Sequence, residues 1–538
     1  MRRGTKALAA AVMGALWTLP AWGEGEIAYK TIALTGQQAA GMGEGVTYGS
    51  FTYAEVGASG HVAYCGGAKG LDGNETTVLW AGMPNSPQVV LQSGALAEWG
   101  DGVKLWGPDS YALLNAQGEV AVTGIVTGAV PSGQSGYNYG IWAGKPGAAQ
   151  MIVHENMPVP GAQLTFTDAR GLSAIRDSGA VGFGATLSDG SSGAWVAAGG
   201  SLQPLLRSGD VAPGFDASVS VASAGGPAAV AGERWVISGT IKGPGITQEN
   251  DRVLWRGTAG SLQPILREGD VAPGTNARFH NGGLTHVSAK GHVLAGYELS
   301  GGDTTSQNNW GMWLVSDSGT RLVVRRGDPA LGMPAGVRMD DFDGGLSSDA
   351  GGVDHLILMG NVAGTGITED NKMAVWAGEA GALRLVARAG DHAPGTPEGI
   401  VFGRHQWSST SQYMPAFEVS GHVNALGQVA FMGHLSGLGI DNTNYEGIWA
   451  TMPDGTLELV ARQGELFDVG GGDLREILSL GEFVKSGGLS FNDRGELAFV
   501  AGFADGTSGV VVAYVPEPGV MGMMGVGAVG VLGMRRRR

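Results

Sequence analysis

The sequence is poor in cysteine and in charge. Its 538 residues include one cysteine, Cys65, and only 15% of the residues are charged. A single thiol excludes an internal disulfide framework and a cysteine metal cluster, so we expect Cys65 to be a small buried apolar side chain. Negative charge exceeds positive charge, and the formal net charge is -16. Because an acidic body repels phosphate backbones, nucleic acid is not expected as a partner.

Helical periodicity is nearly absent as well, whereas glycine is abundant. The chain has 97 glycines and 43% hydrophobic residues, a composition that favours many short strands and tight turns around a large core. The sequence contains no zinc-protease helix, nucleophile elbow, phosphate loop or dinucleotide fingerprint. These absences favour a binding or structural protein over an enzyme.

An apolar strand ending in Trp recurs about every 60 residues, a period typical of repeat architectures. A second strand then runs into Arg-x-Gly-Asp, as at Arg207–Asp210 and Arg325–Asp328. The recurring tryptophans are Trp80, Trp142, Trp195, Trp255, Trp313, Trp376 and Trp449. Since an active site is needed once and a turn is needed in every repeat, we interpret Arg-x-Gly-Asp as structural.

The eighth repeat is divided between the two ends of the chain. Its Trp strand is degenerate, Gly509–Val511, and no second strand follows it, but residues 32–41 align with residues 386–395 of another repeat. We therefore predict that Ile32–Leu34 pairs with Val510–Ala513, which hides the sheet edge. The resulting fold is all-β, an eight-bladed β-propeller of four-stranded blades closed by its N- and C-terminal strands. An open β solenoid is the alternative, with capping repeats at its ends.

The N-terminus has the pattern of a secretory signal peptide. Residues 1–23 combine a basic start, an apolar stretch over Ala7–Leu19 and a small-residue cleavage site. We assign residues 24–514 to the repeat domain and residues 515–538 to a sorting and anchor segment.

The C-terminal segment contains Pro516, Glu517 and Pro518, then an apolar stretch over residues 519–534 and four arginines. It resembles the PEP-CTERM sorting signal of exopolysaccharide-producing Gram-negative bacteria. The resemblance implies removal of the tail by a membrane protease, exosortase. A permanent span is the alternative, although this glycine-rich stretch is shorter than the roughly 20 residues that a span needs.

A second motif, Asn-x-x-Gly-x-x-Ala-Phe or a close variant, occurs at Asn115, Asn424 and Asn492. Asn and Gly both tolerate the left-handed backbone of a tight turn, so the motif predicts a turn before a strand. It resembles the choice-of-anchor tandem-repeat family named for NxxGxxAF. That resemblance implies an exported repeat protein at the cell surface or outside the cell, of undetermined activity, which touches the membrane only through its C-terminal segment.

Two sets of residues are candidate sites. The irregular connection over Gly399–His422 carries cationic and aromatic side chains that the repeat does not need, and functional groups gather on such loops. These candidate ligand-binding residues are Arg404, His405, Trp407 and Tyr413, and the alternative is a disordered or merely covering loop. The acidic cluster of Asp340, Asp341 and Asp343 is a candidate Ca²⁺ site because calcium prefers oxygen ligands. The Asn-rich loops before the Trp strands are a second candidate, but they lack the spaced acidic pattern of a dedicated calcium loop, which favours turn formation there. No other cofactor is expected.

The sequence therefore favours a surface-sorted binding or structural module of the cell envelope or extracellular matrix. The expected partners are the sorting protease and an extracellular polysaccharide. The alternative is a propeller enzyme acting on polysaccharide, which needs paired carboxylates on one face.

Overall fold

Turn-forming glycines divide the chain into short antiparallel strands. The computed structural model describes residues 26–97, 102–127, 138–229, 233–406, 413–418, 421–481 and 490–517. In these ranges the strands form eight blade sheets, arranged as an eight-bladed β-propeller, and one separate two-stranded hairpin. Within the described ranges, no helix reaches the length and apolarity needed to cross a bilayer. The signal peptide proposed for residues 1–23 lies outside them.

Blades one to four follow the N-terminal strand β1 (Ala28–Leu34). Blade one contains β2 (Thr47–Val56), β3 (Val62–Lys69), β4 (Glu75–Met83) and β5 (Ser86–Gln92). Blade two contains β6 (Lys104–Leu114), β7 (Val120–Thr127), β8 (Asn138–Gly144) and β9 (Gln150–His154). Blade three contains β10 (Phe166–Ile175), β11 (Val181–Leu187), β12 (Ser192–Ala198) and β13 (Ser201–Arg207). Blade four contains β14 (Ser220–Ala224), β15 (Ala228–Ala229), β16 (Trp235–Lys242), β17 (Arg252–Thr258) and β18 (Ser261–Arg267).

Blades five to eight repeat the arrangement, with an additional hairpin beside blade seven. Blade five contains β19 (Arg278–Val287), β20 (Val293–Ser300), β21 (Trp310–Ser316) and β22 (Gly319–Arg325). Blade six contains β23 (Arg338–Ser348), β24 (Asp354–Ala363), β25 (Met373–Glu379) and β26 (Arg384–Arg388). Blade seven contains β27 (Val401–Phe402), the hairpin β28 (His405–Gln406) and β29 (Tyr413–Met414), then β30 (His422–Val423), β31 (Val429–Ser436), β32 (Glu446–Thr451) and β33 (Leu457–Arg462). Blade eight contains β34 (Leu466–Asp468), β35 (Leu474–Leu480), β36 (Ser490–Phe491), β37 (Glu496–Phe503), β38 (Ser508–Tyr514) and β1.

The first strands of neighbouring blades contact one another: β2 contacts β6, and β19 contacts β23. These strands therefore surround the central axis. The propeller has two faces. The Asn-Gly face carries the turns between first and second strands, such as residues 115–118 and 492–495. The loop face carries the connections between second and third strands, such as residues 243–251 and 437–445, and the connections between blades.

The predicted closure of the ring is confirmed. Strand β1 pairs antiparallel with β38, with Ala33 opposite Val510 and Leu34 opposite Gly509, and Ile32 falls at a register shift. Strand β2 of blade one in turn contacts β37 and β38 of blade eight. Because the last blade touches the first, the chain is a closed ring and not an open solenoid.

The hydrophobic core is divided among the interfaces between blades. The described buried residues form eight clusters, each shared by two neighbouring blades. Seven of them contain one of the recurring tryptophans, and six of these tryptophans are fully buried. The cluster between blades seven and eight contains Phe499, Phe503 and Val511 instead. A large aromatic side chain in each interface explains the recurrence of Trp.

The Arg-x-Gly-Asp repeat stabilises the connection between blades. In blade five Arg325 Nε donates to the Asn308 carbonyl at 2.7 Å, and Asp328 accepts the backbone N–H of Arg325 at 2.7 Å. The Asn308 side chain in turn accepts the backbone N–H of Thr305, which closes the polar loop. The same arginine-to-carbonyl bond recurs at Arg267, Arg388 and Arg462. The motif is therefore structural, as its repetition indicates.

The asparagine of the NxxGxxAF motif has two roles. Asn492 Oδ1 accepts the backbone N–H groups of Arg494 and Glu496, which closes the predicted turn. Its Nδ2 also donates to the Gly57 carbonyl of blade one at 2.9 Å. Asn115 and Asn424 bond the next blade in the same way. Each of these asparagines therefore fixes a turn and joins two blades.

Candidate ligand-binding groove on the loop face

An open groove of about 660 Å³ lies between blades five and six. Trp310 and Met373, which line it, are the first residues of β21 and β25 after the polar loops, so the groove opens on the loop face. Its polar lining residues are Thr285, Asp341, Asp343 and Asn361. The groove therefore combines two carboxylates, an amide, a hydroxyl and an indole ring.

The two aspartates share the groove because side chains alternate along a strand. Asp341 and Asp343 are exposed on β23, whereas Phe342 between them is buried in the core. Asp341 Oδ1 lies 3.4 Å from Nη2 of Arg326. Arg326 is the variable residue of the Arg-x-Gly-Asp motif in blade five. Asp343 accepts the backbone N–H of Gly344 at 2.8 Å. Both carboxylates are held in place and still reach solvent.

Asn361 and Trp310 form another part of the lining. Asn361 Oδ1 is a buried acceptor with no hydrogen-bond partner among the described residues. Trp310 Nε1 donates to the Phe342 carbonyl at 3.2 Å. The ring lies against Gly296, where a Cβ would stand 2.9 Å from it, so only glycine leaves room for the ring in this position. The groove thus combines a fixed aromatic surface with a half-buried amide.

A smaller cavity of about 370 Å³ on the propeller axis shares Thr285 with the groove. Glu55 lines this cavity. Burial raises the pKa of the Glu55 carboxyl to about 7, although hydrogen bonds from Tyr53 and from the backbone of Leu114 oppose this shift. His286 also lines it, and burial lowers the pKa of this imidazole although Asp343 opposes the shift. Burial and the nearby His286 lower the pKa of His422 to about 4. At neutral pH both histidines are therefore uncharged.

Sequence reasoning missed this axial cluster. Glu55, His286 and His422 each stand two residues before the turn between the first and second strands, which begins at Gly57, Ser288 and Asn424. An alignment of the repeats on that turn would have found them, because a shared repeat position in a ring places side chains around one axis.

The candidate residues of blade seven come together on the loop face. Arg404 Nη2 lies 2.8 Å from Asp370 Oδ1 of blade six, and the guanidinium group stands 4.6 Å from the centre of the Tyr413 ring. His405 is buried, with Nε2 2.7 Å from Asn442 Oδ1, and stacks on Tyr445. Trp407 lies outside the described residues. These contacts fix the β28–β29 hairpin to the propeller, and ligand binding there stays a prediction.

Asp340 does not line the groove with Asp341 and Asp343; its carboxylate lies 3.6 Å from Arg326 Nε. In the part of the chain that the structure describes, no three His, Cys, Asp or Glu side chains are grouped as metal ligands. The Asn-rich loops are closed by their own amides, as at Asn250, which bonds Thr247 and Gly245. Calcium binding stays a prediction. Pro516 and Glu517 lie at the end of the described chain, and Pro518 lies outside it.

A buried histidine lies beneath the β28–β29 hairpin. His434 is fully buried, with Nε2 3.7 Å from Glu418 and 3.9 Å from Glu446, and its Nδ1 donates to the Pro415 carbonyl. Burial lowers the pKa of this imidazole, but Glu446, the Pro415 carbonyl and Glu418 outweigh burial and raise the pKa above its ordinary value. In its protonated form the imidazolium therefore attracts Glu418 of the inserted segment and Glu446 of blade seven.

We expect the stability contributed by His434 to fall as the pH rises. A histidine whose folded pKa is raised stabilises fully below its unfolded pKa of about 6.5 and loses that contribution as pH passes the folded value. Urea denaturation between about pH 6 and about pH 9 should show the wild type losing its advantage over His434→Gln. His392→Gln, which removes an imidazole bonded to the Ile400 carbonyl, is the control. A difference between wild type and His434→Gln that stays constant with pH would contradict the prediction.

The closed ring of four-stranded blades, the loop-face groove and the C-terminal signal define a class of protein. It is an exported eight-bladed β-propeller whose residues 515–538 match the PEP-CTERM protein-sorting motif. The chain belongs to a family of unknown function, DUF7453, whose model matches residues 3–328 and 173–521. The comparisons give no support for the resemblance to the choice-of-anchor repeat family. No curated protein matches the chain.

Several solved structures match the chain at low similarity. The β-propeller domain of the Trilobed protease from Pyrococcus furiosus is 9% identical, with a TM-score of 0.39 over 78% of this chain and 100% of that one. Pyrococcus horikoshii acylaminoacyl peptidase is 7% identical, with a TM-score of 0.36 over 84% of this chain and 57% of that one. Trypanosoma rangeli sialidase in complex with the inhibitor DANA is 8% identical, with a TM-score of 0.27 over 91% of this chain and 96% of that one. These low TM-scores carry no information about function.

Proposed function

We propose that this exported protein is a binding module that holds a neutral polysaccharide of the cell envelope or extracellular matrix in the groove between blades five and six. The observation that carries the proposal is the shared lining of Trp310, Asp343 and Asn361. Sugar hydroxyls bond carboxylate and amide oxygens, and the apolar face of a sugar ring packs on an indole. The half-buried Asn361 side chain gives the groove an amide that can bond a hydroxyl.

The charge of the protein supports a neutral ligand. The chain carries a formal charge of -16, and both charged residues that line the groove are aspartates. A polyanion entering the groove would be repelled by the two aspartates, whereas a neutral chain of hydroxyl groups meets no such repulsion.

A hydrolytic enzyme is the second candidate, favoured by the Asp341 and Asp343 pair. Residues two apart on one strand have Cα atoms about 7 Å apart and side chains on the same face, which places both carboxylates on one side of the groove, as the paired carboxylates of a glycosidase require. However, one carboxyl of such a pair must sit in an apolar site that keeps it protonated. Both aspartates are exposed, and Asp341 is paired with Arg326. The geometry therefore supports binding better than hydrolysis.

Asp343→Asn and Asn361→Ala are expected to weaken binding of a neutral glucan or galactan by roughly tenfold each, about 1.4 kcal/mol. The first change removes the charge and one of the two acceptor oxygens, and the second removes the amide. Affinity is measured by titration calorimetry on residues 24–517 against a panel of purified polysaccharides. Glu249→Gln is the matched control, because it removes one exposed carboxylate from a loop-face connection in blade four. Unchanged affinity in both groove variants would contradict the assignment. Release of reducing ends by the wild type but not by Asp343→Asn would favour the enzyme instead.

A further inference from the structure

The chain leaves the propeller on its Asn-Gly face. Strand β38 ends at Tyr514, which pairs with Glu496 directly after the turn of blade eight. The backbone N–H of Val515 donates to the Gly495 carbonyl at 2.7 Å, and Val515 is buried in the core cluster between blades seven and eight. The sorting motif thus begins inside the folded body and not on a free linker.

Gln428 of blade seven holds the first proline of the motif. Its Nε2 donates to the Pro516 carbonyl at 2.8 Å and lies 3.3 Å from the Thr451 carbonyl. Asn424, the turn asparagine of the same blade, donates to Gln428 Oε1 at 3.1 Å. Because Gln428 is itself buried and bonded at both ends of its amide, it fixes Pro516 against the Asn-Gly face.

The distance from this fixed point to the apolar stretch is short. Only Glu517 and Pro518 separate Pro516 from Gly519, where the apolar part of the tail begins. Three residue steps of extended chain reach about 10 Å at most. When the tail is inserted in a membrane, the Asn-Gly face near blades seven and eight must therefore stay close to the bilayer surface.

We propose that, before the tail is removed, the Asn-Gly face around Gln428 lies against the lipid surface and the loop face with its groove points away from it. The propeller then has one orientation at the membrane, which exposes the groove to material outside the cell. This proposal rests on the sorting motif and on the contacts of Val515 and Pro516. It does not depend on which ligand the groove binds.

The test uses the full chain, with its tail, in liposomes of phosphatidylethanolamine and phosphatidylglycerol. Two exposed leucines of blade seven form a matched pair: Leu426 in the Asn-Gly turn, 39% exposed, and Leu438 on the loop face, 99% exposed. Leu426→Cys and Leu438→Cys are each labelled with a fluorophore, and the unsubstituted protein is the blank because Cys65 is buried. We expect lipid-attached quenchers to reduce the Leu426→Cys signal several-fold more than the Leu438→Cys signal. Equal quenching, or stronger quenching at Leu438→Cys, would overturn the proposal.

A second variant tests whether the short tether causes the orientation. Insertion of about ten Gly and Ser residues between Glu517 and Pro518 gives a flexible linker longer than the direct path. We expect this insertion to abolish the difference in quenching between the two labelled positions while leaving thermal stability unchanged. A difference that persists with the linker would refute the tether as its cause.

Discussion

Deletion of residues 24–41 is expected to unfold the propeller, although the segment looks like a dispensable N-terminal tail. The deletion removes β1 and leaves β38 with an unpaired edge. It also removes the buried Ala33, Leu34 and Ala39, and the bond from the Tyr29 hydroxyl to the Val460 carbonyl of blade seven. A buried Leu side chain contributes about 2 kcal/mol, a buried methyl group about 0.8 kcal/mol and each ladder hydrogen bond about 1 kcal/mol. Their sum is comparable with the whole stability of roughly 5–15 kcal/mol of a typical domain. Soluble yield and urea denaturation measure the loss.

A circular permutant is the control for this deletion. Moving residues 27–41 to follow Glu517 through a short turn keeps β1 next to β38, because Tyr514 already faces Ala28 across the pair. We expect the permutant to recover the urea midpoint of the parent to within a small shift. A soluble, stable deletion variant would show that the ring holds without β1.

The fold was predictable because the repeat length can be read directly from the sequence. The recurring Trp fixes the length of a blade, and two complementary halves at Ile32–Leu34 and Val510–Ala513 indicate closure. The bonds between blades were less visible. The turn role of Asn492 follows from local chemistry, but its bond to Gly57 joins residues separated by 435 positions. Only the ring brings those two positions together.

The candidate groove was predictable in part. Alternation along a strand places Asp341 and Asp343 on one side of β23, so their proximity was visible in the sequence. The other lining residues, Trp310 and Asn361, could not be placed there from the sequence because they belong to other strands. Trp310 is on β21, in the neighbouring blade five. The tryptophan pattern also directed attention to Trp313, which is buried in the core, and away from Trp310, three residues before it. Trp310 is the indole that lines the groove.

Substitution of a recurring tryptophan is expected to cause the second large loss of folding stability. Trp255→Ala is expected to cost about 3–5 kcal/mol, since it empties a fully buried site between blades three and four. Replacement by Phe keeps most of the apolar contact and isolates the indole N–H. Trp255 Nε1 donates to the Pro213 carbonyl at 3.0 Å, whereas Trp195 Nε1 is buried with no hydrogen-bond partner among the described residues.

Trp255→Phe is therefore expected to be more destabilising than Trp195→Phe by about 1–3 kcal/mol. At the first site the change removes a hydrogen bond and leaves the Pro213 carbonyl without this donor, and a buried unsatisfied group costs that amount. At the second site the same change removes a buried donor that already lacks a partner, which offsets part of the lost packing. The urea midpoints of the two variants measure the difference, provided that their unfolding transitions have the same m-value. Equal losses at Trp195 and Trp255 would mean that the Trp255 hydrogen bond adds nothing to the packing of the indole ring between blades.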